Sequence, residues 1–144
     1  MACHKGAVVC VSAGNEGQKP WHYITAPADA FDIITVGAAN ADSVIAPFSS
    51  FGPTYDGRVK PDAVAVGWQS YVVGSNGTVR QGNGTSYACP ILAGMVTCLR
   101  QSLPQMGALD IVRIVRQAGH QYNNPDTAMG YGIPDIYKAY LENR

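Results

Sequence analysis

The sequence has 144 residues, of which 47% are hydrophobic and 14% are charged, a composition typical of one folded domain with a substantial core and not of a disordered chain. Equal numbers of acidic and basic residues give a formal net charge of zero, which argues against nucleic acid or an anionic membrane as the main partner. No apolar run approaches the ~18 residues that a membrane-spanning helix needs, and no targeting signal is recognisable at the start.

The first element predicted along the chain is a helix end at Lys5 and Gly6, because glycine commonly terminates helices. Residues 7–12 are a continuous apolar run with β-branched side chains, which indicates a buried parallel strand. The loop at residues 13–17 follows the carboxyl end of that strand, where open α/β sheets place their ligands. Asn15 in this loop is therefore a functional candidate, although an asparagine between glycines is also typical of a plain turn.

Two more short strands are predicted at residues 32–38 and 63–67, and Asp62 before the second one is expected to cap or pair locally. A β-hairpin follows, because residues 69–73 and 78–81 flank Asn76 and Gly77, a pair typical of a type I′ turn. This hairpin delivers the chain to the stretch that begins at Gly82.

A glycine-flanked turn there leads through one serine into a long helix. Gly82 and Gly84 permit tight or left-handed backbone conformations, and Thr85 is predicted to be the N-cap. Ser86 would then lie in the first turn, where unpaired N–H groups and the helix dipole favour negative charge. Those donors would stabilise an oxyanion formed by attack of Ser86 on a carbonyl. A core helix with ordinary capping residues explains the same stretch without any chemistry.

Three helices are predicted after the hairpin. The first is apolar on all sides, which predicts complete burial, and it contains Cys89 and Cys98, which we expect to be packed thiols. All four cysteines, including Cys3 and Cys10, are expected to be free. The second begins near residue 108, with Arg113 and Arg116 facing outward and Gly119 as its cap. The third packs on the core through its apolar residues: Ile133, Ile136, Tyr137 and Tyr140.

Ordered segments covering nearly the whole chain resemble those of the subtilisin-like serine proteases, the subtilases. Residues 84–94, GTSYACPILAG, resemble the nucleophile segment of that family, and residues 12–17, SAGNEG, resemble the segment that carries its oxyanion-hole asparagine. Residues 48–54, FSSFGPT, with residues 60–67, KPDAVAVG, resemble a third family segment. Residues 130–135, GYGIPD, resemble the motif that opens the last helix.

The resemblance implies the C-terminal portion of a three-layer α/β/α domain, with a mainly parallel sheet, one β-hairpin and a central buried helix, so residues 1–144 would form a partial peptidase domain. It implies an endopeptidase that hydrolyses peptide bonds of peptide or protein substrates through an acyl-enzyme on Ser86, with Asn15 donating to the oxyanion. It also implies an extracellular or cell-envelope location for the parent protein. The implied substrate-binding residues are Ser12, Ala13, Gly14, Thr25 and Thr85.

Two members of the family's catalytic triad have no counterpart in this sequence. A serine hydroxyl needs a base to take its proton, but His4, His22 and His120 lie in no matching motif, and we expect surface or capping roles for them. The family's aspartate and histidine precede the asparagine segment, so we expect them in an upstream half of the domain and expect this chain alone to be inactive. An exposed strand edge and apolar face would then favour association or strand exchange between copies.

No cofactor or metal ligand is predicted within the chain, although calcium is possible in the parent family. The main alternative function is a catalytically dead, subtilase-like binding or scaffold domain. An α/β-hydrolase needs G-x-S-x-G around its nucleophile, whereas residue 88 is alanine. A nucleotide-binding loop is disfavoured because the stretch from Gly82 lacks a third glycine and a Gly-Lys-Ser/Thr sequence.

Overall fold

The computed structural model describes residues 2–144. A 3₁₀ turn at Cys3–Lys5 comes first, and Gly6 ends it in the left-handed conformation predicted for that glycine, with φ 92° and its N–H bonded to the Cys3 carbonyl. The strands and helices then follow in this order: β1 Cys10–Ser12, β2 Ile34–Ala39, β3 Ala63–Val66, β4 Ser70–Val73, β5 Val79–Gly82, α1 Thr85–Ser102, α2 Ala108–Gln117 and α3 Ile136–Asn143.

The first three strands form a parallel sheet in the order β1-β2-β3. All six residues of β2 are buried, as expected for the central strand of a sheet covered on both faces. The strand β1 is shorter than the predicted 7–12 and only half-buried, because it lies at the edge of the sheet within the described chain. Since the strands are parallel, their carboxyl ends meet at one edge of the sheet.

Helix α1 contacts all three strands of the parallel sheet. Leu92, Val96 and Leu99 are buried in one cluster with Ile34 and Val36 of β2, and burial of each such side chain contributes roughly 1.5–3 kcal/mol. Helices α2 and α3 add residues to the same cluster. A smaller cluster of Ala13, Ile24 and Ala28 forms beside Val11.

One side of α1 is exposed, so the prediction of a helix buried all round is wrong there. Ile91 is 44% exposed and Met95 is 40% exposed, and Cys98 is an exposed thiol and not a packed one. No layer covers this side within residues 2–144. The predicted inward position of Tyr137 is also wrong, because its side chain is exposed. The four cysteines are free, as predicted.

The hairpin of β4 and β5 is present, but its turn is not type I′. Gly77 has φ 78° whereas Asn76 does not have a positive φ, and a type I′ turn requires positive φ at both central residues. The Asn76 Oδ1 instead accepts hydrogen bonds from the Thr78 N–H and hydroxyl. The N–H of Gly74 donates to the Thr78 carbonyl at 2.8 Å. The loop between this hydrogen-bonded pair therefore has three residues, 75–77, and not the two of a type I′ turn.

Charged groups are buried at the amino-terminal end of the sheet. Lys60 and Asp62 are each 1% exposed and form an ion pair, and the Lys60 Nζ also donates to the Thr35 hydroxyl at 2.8 Å. Asp62 accepts from the Thr35 N–H at 2.7 Å and from the Arg116 Nε at 2.7 Å. Arg116 therefore does not face outward as predicted, because it reaches back to Asp62. Helix α2 also ends one residue early, with Ala118 and not Gly119 as its C-cap.

Candidate active site

Ser86 lies exposed in the first turn of α1. The N-cap of the helix is Gly84 and the first helical residue is Thr85, so the prediction of Thr85 as N-cap is wrong by one position. Gly84 has φ 162°, which is extended backbone, so this glycine does not use the left-handed conformation that it permits. The Thr85 hydroxyl does not cap its own helix because it bonds to the loop after β1.

Asn15 is held against this turn by its side-chain oxygen. The Asn15 Oδ1 accepts from the Thr85 N–H at 3.0 Å and from the Thr85 hydroxyl at 3.1 Å. A backbone N–H can only donate, so the oxygen of the carboxamide must face it and the Nδ2 must point elsewhere. The Nδ2 has no hydrogen-bond acceptor among residues 2–144, which leaves it free to donate to a ligand.

The loop that carries Asn15 is fixed on both sides. The Gly14 N–H donates to the buried Thr85 hydroxyl at 3.3 Å, while the Ser50 Oγ accepts from the Glu16 N–H at 3.0 Å. Gly14 has φ 107°, and a side chain there would place its Cβ 2.8 Å from the Ser50 Oγ. Only glycine fits this position. Ser50 was part of the FSSFGPT motif, but the sequence did not predict its role as an anchor.

The segment that follows β3 also contacts the turn at the start of α1. The Gly84 N–H donates to the Gly67 carbonyl at 2.8 Å. A Cβ at Gly67 would lie 2.7 Å from the Gly84 carbonyl oxygen and 2.8 Å from the Ala38 Cβ, so glycine is needed for this close approach. The turn that carries Ser86 therefore lies at the carboxyl edge of the sheet, between the ends of β1 and β3.

Two hydrogen-bond donors remain free around Gly84, where a Cβ would lie 3.7 Å from the Ser86 nitrogen and 3.8 Å from the Asn15 Nδ2. In the first turn of α1 the Thr85 N–H is taken by Asn15 and the Tyr87 N–H by the Gly84 carbonyl at 3.0 Å. The Ser86 N–H has no partner within the described residues, and the same holds for the Asn15 Nδ2. Such donors at a helix N-terminus favour an anion.

A sequence model of the subtilase family matches residues 1–132. The chain belongs to the subtilase family. It is 32% identical over 159 aligned residues to serine protease AprX of Bacillus subtilis, covering 96% of this chain and 34% of that protein. It is 42% identical over 145 aligned residues to the membrane-bound transcription factor site-1 protease of Mus musculus, covering 92% of this chain and 14% of that protein. The chain thus spans about a third or less of these curated relatives.

Solved protease structures share the fold. The self-cleaved protease domain of PatA superposes with a TM-score of 0.78 at 19% identity, covering 98% of this chain and 51% of that one. The epidermin leader peptide processing serine protease of Staphylococcus aureus gives 0.76 at 23% identity, covering 99% of this chain and 42% of that one. These matches confirm the predicted α/β fold class, although the chain spans only about half of each solved structure.

The subtilase chain brings no histidine to Ser86 within residues 2–144. His4 is exposed and its Nε2 lies 2.8 Å from the Asp32 carboxylate. His22 stacks on Phe51 with ring centroids 6.0 Å apart, and the His120 Nδ1 accepts from the Ile133 N–H at 2.9 Å. The three exposed rings thus have the surface and capping contacts that were predicted.

The predicted substrate-binding residues differ in accessibility. Ser12 and Gly14 are half-buried, and Thr25 is exposed, with its Oγ1 3.9 Å from the position of a Cβ on Gly14. Ala13 is fully buried. Thr85 is also buried, and its hydroxyl is committed to the loop of Gly14. Of the five side chains, Thr25 is the one that stands open to solvent beside the loop.

Three carboxylates of this subtilase chain are paired with basic side chains. Glu16 pairs with Lys19, Asp56 with Arg58 and Asp110 with Arg113. The hydrogen bond from the Arg58 side chain lowers the pKa of Asp56. No group of three or more His, Cys, Asp or Glu side chains that could hold a metal ion occurs among residues 2–144. Over the same residues, no helix is long and apolar enough to cross a membrane.

Proposed function

We propose that this chain is the C-terminal part of the catalytic domain of a subtilisin-like serine endopeptidase. Ser86 attacks the carbonyl of a peptide bond and forms an acyl-enzyme, while the Ser86 N–H and the Asn15 Nδ2 bind the oxyanion. The observation that carries the proposal is the pair of free donors that meet around Gly84, at the helix N-terminus that bears the exposed Ser86, in a chain of the subtilase family.

The Asn15 donor can stabilise the oxyanion effectively because it is held in place before the reaction begins. The Asn15 carboxamide is oriented through its oxygen, which bonds to Thr85 at 3.0 and 3.1 Å, so its nitrogen need not reorganise as charge develops. Loss of one such side-chain donor lowers kcat about 10²–10³-fold, a magnitude measured on subtilisin itself.

The base for Ser86 and the aspartate that orients it come from an upstream half of the same catalytic domain. Two features of the chain support this arrangement. The edge of β1 is unpaired within residues 2–144, and a groove of ≈ 880 Å³ lined by Val8, Cys10 and Val96 runs between β1 and α1. The upstream half adds strands at this edge and covers the groove. Without it the chain is inactive and prone to association between copies.

Peptide or protein substrates bind along the loop that follows β1. Ser12, Ala13, Gly14 and Thr25 form the substrate-binding segment, in which buried Ala13 acts through its backbone. Thr85 acts indirectly, because its buried hydroxyl positions Asn15 and Gly14. The longer protein works outside the cell or in the cell envelope, and neither nucleic acid nor membrane lipid is its substrate.

Complementation tests this proposal. The chain is produced alone and joined to its upstream sequence, and hydrolysis of a chromogenic peptide is measured for both. The joined protein should be active, the chain alone should show background hydrolysis, and Ser86→Ala should reduce the joined protein to background. Ser75→Ala, at the exposed hairpin tip, is the matched control and should retain activity.

A folded joined protein without activity would overturn the endopeptidase proposal and favour the scaffold alternative. Activity that survives Ser86→Ala would instead show that another residue is the nucleophile.

A further inference from the structure

An aromatic cavity of ≈ 700 Å³ borders the proposed substrate-binding segment. We define it by five of its lining residues: Trp21, Tyr23, Thr25, Asp29 and Tyr55. Thr25 belongs to both sites, because its side chain lines the cavity and its Oγ1 approaches Gly14. A polypeptide bound at Thr25 therefore lies within reach of the cavity.

The aromatic rings of this cavity are unusually open to water. Trp21 is 59% exposed, Tyr23 is 44% exposed and Tyr55 is fully exposed. Tyr23 packs edge to face with Trp21 and with Phe51, with centroids 6.2 and 5.7 Å apart, and the exposed part of each ring remains open to a ligand. Clustered exposed rings of this kind mark interaction sites more often than stable solvent-facing surface.

The polar groups of the cavity favour a cation. The Asp29 carboxylate has no hydrogen bond within the described residues, and no lysine or arginine lines the cavity. The nearby Arg58 guanidinium is committed, since it lies 3.8 Å from the Phe31 ring centroid, pairs with Asp56 and donates to the Asp29 backbone carbonyl at 2.8 Å. The cavity is thus lined by an acidic residue and by aromatic residues, both of which attract positive charge.

We propose that the aromatic cavity binds an arginine or lysine side chain of the polypeptide substrate. The cation lies against the faces of Trp21, Tyr23 and Tyr55 and pairs with Asp29, while the substrate backbone passes Thr25. The identity of the ligand as substrate rests on the proposed function, whereas the preference for a cation rests on the cavity alone. Because cation–π contacts at exposed sites are individually weak, weak but selective binding is expected.

The direct test is a binding titration on the Ser86→Ala form of the joined protein, in which no acyl-enzyme can form on Ser86. The probe is a capped Gly-Arg-Gly peptide, and the readout is the NMR shift of the Trp21 indole N–H, with the Trp68 indole as internal reference. The matched ligand contains citrulline, which keeps the shape of arginine without its charge. The arginine peptide should bind about 5- to 10-fold more tightly. Equal affinities, or tighter binding of a leucine peptide, would overturn the proposal.

Variants locate the binding in the cavity. Trp21→Ala and Asp29→Asn should each weaken arginine binding about 3- to 10-fold. Because Trp21→Ala removes the indole N–H signal, its titration is followed by the NMR shifts of neighbouring residues. The controls are an exposed ring and an exposed carboxylate elsewhere, Tyr137→Ala and Asp42→Asn, which should leave the affinity unchanged. Equal loss in controls and cavity variants would place the binding outside the cavity and contradict the proposal.

A kinetic experiment separates this proposal from the proposed function. In the joined, active protein, Asp29→Asn should raise KM for an arginine-containing substrate several-fold, leave kcat unchanged, and have no effect on its citrulline counterpart. A KM that does not change for either substrate would contradict the cation site while leaving the endopeptidase proposal intact. If the joined protein were inactive, the titration on its Ser86→Ala form would still decide the cation site.

Discussion

Polar side chains gather at both ends of the parallel sheet, and the two groups differ in how fully their hydrogen bonds are satisfied. At the amino-terminal end, both oxygens of Asp62 accept bonds, from Thr35, Lys60 and Arg116. At the carboxyl end, the Asn15 Nδ2 and the Ser86 N–H have no acceptor within residues 2–144. Buried polar groups whose hydrogen bonds are all made stabilise a fold, whereas exposed donors that are fixed and have no acceptor can bind a ligand. The first group should therefore control stability and the second activity.

The largest effect is expected from Asp62→Asn. Removing this charge leaves Lys60 buried beside Arg116 without compensation, so the free energy of unfolding should fall by about 3–5 kcal/mol. Urea denaturation measures the loss. The control is Asp110→Asn, whose pair with Arg113 is exposed and should contribute less than about 1 kcal/mol. Similar losses in both variants would show that the buried group has no special role in stability.

Asn15→Ala should show the opposite behaviour. In the joined protein kcat should fall about 10²–10³-fold, the range known for loss of this donor in subtilisin, because the oxyanion loses one of its two donors. The free energy of unfolding should change by no more than about 1.5 kcal/mol. Steady-state kinetics and urea denaturation on the same sample compare the two effects. A large loss of stability with unchanged kcat would reverse the assignment of the two ends.

Thr85→Val tests the link between turn and loop. Valine keeps the shape of threonine but leaves the Gly14 N–H without its acceptor and Asn15 with one bond instead of two, so kcat should fall about 10-fold, and stability by about 1–2 kcal/mol. Thr85→Ser keeps the hydroxyl and should restore kcat. If serine were as slow as valine, packing of the methyl group and not the hydroxyl would explain the loss.

The smallest effect concerns Cys10 in β1. Burial, then the charges of Cys89 and Asp62, raise the pKa of the Cys10 thiol from 9.0 to about 11. A raised pKa contributes stability below about pH 9 that is lost as pH rises toward about 11, and it slows alkylation at about pH 8 relative to exposed Cys98. Asp62→Asn should lower this pKa and speed iodoacetamide labelling of Cys10, measured by mass spectrometry. Asn15→Ala should not change the labelling rate.

Local sequence patterns predicted most of the fold. The apolar runs located the strands within a few residues, and Gly6 marked the end of its turn because only local backbone conformation was involved. The misplaced features depend on distant contacts. Arg116 faces inward because it donates a hydrogen bond to Asp62, and the separation of 54 positions between them hides this contact from local patterns. The buried and exposed sides of α1 could not be assigned without knowing which neighbours cover them.

The candidate site was predicted only in part, because some of its contacts also join segments that are far apart in the sequence. The sequence motifs predicted Asn15 and Ser86 as partners, and the structure places Asn15 against the turn that carries Ser86. The roles of Thr85 and Ser50 as anchors were not predicted, because each depends on a hydrogen bond between segments far apart in sequence. The aromatic cavity at Trp21 gave no pattern in the sequence, since its rings come from two separate loops.

The most direct test of the central claim is covalent labelling of the joined protein with a fluorophosphonate, followed by mass-spectrometric mapping of the modified residue. The adduct should map to Ser86, should form more slowly in Asn15→Ala and should be absent from Ser86→Ala, while Asp110→Asn should label normally. An adduct on another residue, or labelling that persists after Ser86→Ala, would contradict the assignment of Ser86 as nucleophile.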